Sequence, residues 1–67
     1  MAFSNNEISL IRNIERLEKE LGDKRKTLHE DHPSIGDNLY ELGYLYSKLG
    51  NKHKAKEYYM KALVIYI

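Results

Sequence analysis

The stretch Leu39-Tyr40-Glu41-Leu42-Gly43-Tyr44-Leu45-Tyr46, followed by Gly50 and then by Ala55, Tyr59 and Ala62, carries the reading of this chain. Leu39, Leu42 and Tyr46 recur at helical spacing, with Ile35 before them and Leu49 after, so the pattern predicts a helix over about 34–49 with one apolar stripe. Gly50 is suited to the left-handed residue that follows a helix, and Asn51 to a cap for the next one. A further helix is expected over 52–67, with Ala55, Tyr59, Ala62, Leu63 and Tyr66 on one broad face. Gly43, Ala55 and Ala62 are small enough for two antiparallel helices to approach closely, and Leu39, Leu42, Tyr46 and Tyr59 fill the space around that contact.

Upstream of this hairpin, Ser4-Asn5-Asn6-Glu7 has the form of a capping box, and Phe3 and Ile8 are spaced as a hydrophobic staple. The helix they start carries Leu10, Ile14, Leu17, Leu21 and Leu28 in alternating steps of four and three, with Lys24 in the one missing place. Gly22 lies inside it at a cost of about 1 kcal/mol relative to alanine, and the return of the stripe at Leu28 extends the expected helix over 5–29. Pro33 disfavours helical geometry at His32 and suits a first helical turn, so residues 30–34 form a joint capped by Asp31 or Ser34. The expectation is an all-α chain of three antiparallel helices.

The pattern Leu39-x2-Leu42-Gly43-x2-Tyr46, Gly50, Ala55-x3-Tyr59-x2-Ala62 resembles the tetratricopeptide repeat, a helical hairpin of about 34 residues. The joint Leu28-His29-Glu30-Asp31-His32-Pro33, followed by Ile35, resembles the kinesin light chain type of that repeat, which has a longer period of about 42 residues. A shift of that length sets Leu21 against Leu63, Leu17 against Tyr59, Lys19 against Lys61 and Arg12 against Lys54, while Asn13 against Ala55 and Glu20 against Ala62 do not match. The resemblance implies that helix one is a degenerate second helix of a preceding repeat and that residues 34–67 are one full hairpin. It also implies that helix three continues past Ile67, whereas the capping box reads as a free start. The expectation is therefore one and a half repeats, the first segment of a larger solenoid or a piece of one. His29 in place of glycine, Lys52 in place of an aromatic, and Tyr40 and Glu41 in place of paired asparagines depart from the kinesin light chain pattern.

Sixty-seven residues bury only about 60 % of the unfolded surface, so one small core is expected. The chain has no cysteine, which excludes a disulfide scaffold and favours a reducing, cytoplasmic setting. A composition that is 42 % apolar and 31 % charged is too apolar and too patterned for disorder. Eleven basic against ten acidic residues leave a net charge of +1, which recruits neither nucleic acid nor anionic lipid. Lys48, Lys52, Lys54, Lys56 and Lys61 with His53 are locally basic, but Glu7, Glu15, Glu18 and Glu20 offset them. The longest apolar run, 62–67, is far below the roughly 20 residues that span a bilayer, and residues 1–7 lack the basic and apolar regions of a signal peptide. Ser4, Ser34 and Ser47 have no His and acid in a recognisable arrangement, and three short helices have little room for a pocket, so no catalysis is expected. His29 and His32 straddle a helix end beside proline, with His53 distant in sequence, which reads as joint chemistry rather than a metal site. No cofactor is implied.

Asp37, Tyr40, Tyr44, Ser47 and Lys48 form a second stripe on helix two. In the repeats it resembles, this face lines a concave groove for extended peptides, and two tyrosines one turn apart offer rigid area with hydroxyls for hydrogen bonding. Packing of both rings against helix one or a neighbouring repeat is the alternative. The primary reading is a protein–protein interaction or scaffold module. The competing one is an oligomerisation element in which helix one pairs through its 10-14-17-21-28 seam. Self-association as a homodimer is expected in either case, because Met60, Val64 and Ile67 line the outer face of helix three and the last four residues carry no charge. Stacking, or exchange of a helix across the Gly50-Asn51 turn or the Pro33 joint, would cover them.

Overall fold

In the computed structural model, which describes residues 3–66, the capping box is complete. The Glu7 amide donates to Ser4 Oγ at 3.2 Å, and the Ser4 amide donates to Glu7 Oε1 at 3.1 Å. They open α1 (Asn5–Thr27), while Phe3 and Ile8 remain exposed. The helix stops two residues short of His29. Leu28 turns extended at φ −114°, ψ 153°, which lets its side chain pack on the core, and the amide of Asp31 donates to His29 Nδ1 at 3.2 Å.

α2 (Pro33–Leu49) begins one residue earlier than its spacing implied, and neither Asp31 nor Ser34 caps it. His32 does, because proline already holds it extended and its Nδ1 then lies 3.1 Å from the Ser34 amide, which donates to it. Both joint histidines thus serve as local acceptors. At the other end Gly50 adopts φ 91°, and the Asn51 amide returns to the Tyr46 carbonyl at 2.9 Å, closing a Schellman-type turn. Asn51 Oδ1 accepts from the Lys54 amide at 3.1 Å and starts α3 (Lys52–Tyr66). Ile67, the last residue of the expected third helix, lies outside the described residues.

α2 is the central element, packed on α1 and on α3. The core joins Ile14, Leu17 and Leu21 of α1 to Ile35, Leu39 and Leu42 of α2, with Ala62 of α3. The α1 seam is therefore covered within the chain, with Leu17 only 3 % exposed, and the structure does not support its pairing between copies as a coiled coil. Lys24, the polar member of that seam, reaches across to Asn38 Oδ1 at 2.8 Å and to the Ser34 carbonyl at 3.3 Å. Asn38 is buried, and its amide nitrogen has no hydrogen-bond partner.

The close approach of α2 and α3 differs from the expected contact of small residues. A Cβ on Gly43 would meet the Tyr59 ring at 2.7 Å, so an aromatic face, rather than Ala55 or Ala62, occupies the space glycine leaves. A second approach occurs at Gly36, where Ile65 and Tyr66 lie within 3.3 Å of a built Cβ. α3 is also rotated from its expected setting. Ala55, Tyr58, Ala62 and Ile65 turn inward, whereas Leu63 and Tyr66 stay about half exposed. The i, i+3, i+4 spacing of the inward set matches the α2 surface, and Tyr58 is drawn towards α1 by donating to Glu18 Oε2 at 3.3 Å.

Tyr58 stacks on Tyr46 with centroids 5.5 Å apart, and burial, aided by the Glu18 carboxylate, pushes its hydroxyl up to about 12. A pKa raised above the ordinary 10 means that the unfolded chain releases this proton first. Stability from this group is thus complete below about pH 10 and is lost as the pH climbs towards 12. The urea midpoint should fall across this window, and Tyr58→Phe should flatten the fall. An identical slope in the variant would show that another group controls it.

Candidate partner-binding cleft

Helical periodicity brings Asp37, Tyr40, Tyr44, Ser47 and Lys48 onto one side of α2, as their spacing required. The packing of α3 adds a second wall. Tyr40 and Ser47 face Lys52, Lys56, Tyr59, Met60, Leu63 and Tyr66 across an open cleft of about 770 Å³ with Ala55 and Ala62 at its floor. Asp37, Tyr44 and Lys48 share the exposed face of α2 with Tyr40 and Ser47 but do not line the cleft. The Tyr40 ring leans on Tyr59 at 5.4 Å between centroids and remains 54 % exposed. Tyr44 is 49 % exposed, with Lys48 Nζ 5.4 Å above its ring. Both rings are thus about half exposed, and the ring that Tyr40 meets belongs to α3.

Tyr66 Oη donates to Asp37 Oδ1 and ties the end of α3 to the first turn of α2. That hydrogen bond, together with partial burial, raises the Tyr66 pKa, and burial beside Tyr40 and Tyr44 raises that of Tyr59. Both hydroxyls therefore remain protonated donors at neutral pH. The site offers flat aromatic area, a few hydroxyl donors and a basic end, which suits recognition of a polypeptide surface.

The expected self-association strip is divided. Met60 lines the cleft, whereas Val64 borders a smaller hollow of about 310 Å³ shared with Arg25, Glu30, Asp31, Leu39, Lys61 and Ile65. Successive residues one turn apart on α3 straddle the boundary between the two hollows, and the rotation of the helix sets that boundary. Ile67, the third member, lies outside the described residues. The α3 wall was the part of the site that α2 spacing alone could not reveal. Its one sequence signal was the surplus of apolar residues on α3, more than a single inward face can bury.

Among the described residues, no three His, Asp or Glu side chains gather as a metal-binding group, and no helix is long and apolar enough to cross a membrane. Residues 36–65 match the family model of the tetratricopeptide repeat. No curated protein and no solved structure matches the chain. The match spans the two helices that enclose the cleft, which form a helical hairpin similar to the tetratricopeptide repeat, a fold that generally serves to bind other proteins.

Proposed function

We propose that the chain is a non-catalytic protein–protein interaction or scaffold module, with the α2–α3 cleft as its docking surface. The observation that carries this reading is the pair of half-exposed tyrosines, Tyr40 and Tyr44, beside an uncovered apolar cleft in a repeat-type hairpin. The kinesin light chain type of repeat is the finer assignment, supported by the Asp31-His32-Pro33 joint and by an α1 that packs on α2 as the second helix of a preceding repeat would. On this reading α1 is the degenerate second helix of a preceding repeat and residues 34–67 are one hairpin of a larger solenoid. Self-association through exposed Met60 and Val64 belongs to the same proposal, as does a cytoplasmic location, which the cysteine-free composition favours. The near-neutral net charge favours protein over nucleic acid or membrane as the partner.

Random peptides displayed on phage and selected on the folded chain provide the test. Selected peptides should bind the wild type and lose about tenfold or more in affinity for Tyr40→Ala/Tyr44→Ala, since central aromatic anchors commonly carry about 2 kcal/mol each. Helicity should persist, because the contacts removed, Tyr40 on Tyr59 and Lys48 over Tyr44, involve rings that are about half exposed. Equal binding to both proteins would take the cleft out of the proposal. Loss of several kcal/mol of stability in the double variant would assign the rings to the core instead.

A further inference from the structure

The cleft has a direction. Asp37, which accepts from Tyr66 at one end of the cleft, and Glu41 on the exposed face of α2 lie on the side of the α2 N-terminus, whereas Lys52 and Lys56 line the cleft near the α2–α3 turn, with Lys48 in the last turn of α2. From Asp37 to Lys48 the separation along α2 is about 16 Å by the helical rise. Between these ends Tyr40, Met60 and Leu63 are each more than half exposed. The one ion pair among the described residues is Arg16–Glu20 on α1, so Asp37, bonded to the Tyr66 hydroxyl, and the lysines at the turn have no opposite charge paired with them.

This order of acid, apolar strip and base is complementary to its own reverse. A two-fold axis crossing the cleft near Tyr40 and Tyr59 would set the acidic end of each copy against the basic end of the other and lay the apolar strips together. A parallel pairing would instead oppose like charges at both ends. Coverage of the strip would also enlarge the buried apolar area of a chain too small for an extensive core of its own. We infer that the occupant of the cleft is a second copy of this chain, bound antiparallel across a two-fold axis. This inference rests on the cleft being an interaction surface and names what fills it.

Sedimentation equilibrium of the full chain tests the pairing. The wild type should dimerise, with a Kd that rises with salt. Asp37→Lys/Glu41→Lys should raise the Kd about tenfold or more, and so should Lys52→Glu/Lys56→Glu, because each creates like-charge contacts at both ends of its own homodimer. An equimolar mixture of the two variants restores opposite charges at both ends and should regain a wild-type Kd. Circular dichroism establishes that each variant is folded. Should the Asp37 change disturb the Tyr66 contact, Leu63→Asp in the middle of the strip replaces it and should yield a monomer. A monomeric wild type overturns the pairing, as does a folded mixture that fails to regain affinity or a Leu63→Asp chain that dimerises normally. If the wild type is monomeric yet captures phage peptides through Tyr40 and Tyr44, only the self-pairing falls. If it neither dimerises nor captures peptides, the reading of the cleft falls as well.

Discussion

Gly43→Leu should abolish the cooperative thermal transition of this chain. The Tyr59 ring presents Cδ1 at 2.7 Å and Cε1 at 2.8 Å from where a Cβ would stand, closer than real Cβ contacts come. The same ring also leans on Tyr40, so displacing it would disturb the wall of the cleft. Alanine alone already intrudes. Gly43→Ala should cost about 1–3 kcal/mol from overpacking, even though alanine favours a helix by about 1 kcal/mol over glycine. Leucine adds three further carbons to the same crowded space and should separate α3 from α2. Gly22 supplies the control, since nothing lies within 4 Å of its Cβ position and Gly22→Ala should leave the chain as stable or more so. Thermal melts followed by circular dichroism decide the matter. A Gly43→Leu chain that melts like the wild type would mean that α2 and α3 do not meet through this residue.

Leu42→Ala should be nearly as damaging for the opposite reason. Leu42 is 0 % exposed, and it belongs to the cluster shared by α1, α2 and α3. Truncation leaves a cavity and removes transfer energy, together about 2–5 kcal/mol for a buried leucine. At about 0.05–0.15 kcal/mol per residue, a chain of this length has roughly 3–10 kcal/mol in total. The variant should therefore unfold at much lower urea concentration and be substantially unfolded if the wild type lies near the lower bound. A midpoint unchanged by the substitution would remove Leu42 from the core. The exposed Val64 provides a contrast, because Val64→Ala opens no internal cavity and should change stability by less than about 0.5 kcal/mol.

Helix starts and stops were legible because their causes are local. Ser4 and Glu7 lie three residues apart, Pro33 constrains its immediate predecessor, and Gly50 and Asn51 act on the turn in which they sit. The boundary at Thr27 was less legible, since Leu28 continues the apolar stripe and only its extended backbone takes it out of the helix. The α2 side of the cleft was readable for a similar reason: once α2 forms, a period of 3.6 residues fixes which side chains share a face.

The rotation of α3 depended on tertiary structure. Tyr58, Tyr59, Leu63, Ile65 and Tyr66 surround much of that helix with apolar surface, so its sequence permits several inward faces of similar hydrophobicity. The Tyr59 ring over Gly43 and the Tyr58 hydroxyl on Glu18 select one of them. That choice places Met60 and Leu63 in the cleft and Val64 outside it. The sequence by itself determined three helices, their joints and the polar-aromatic stripe of α2, all of which follow from interactions within a few turns. Only the tertiary structure decided that this stripe has a facing wall, because the azimuth of one helix against another is settled by packing between residues distant in the chain.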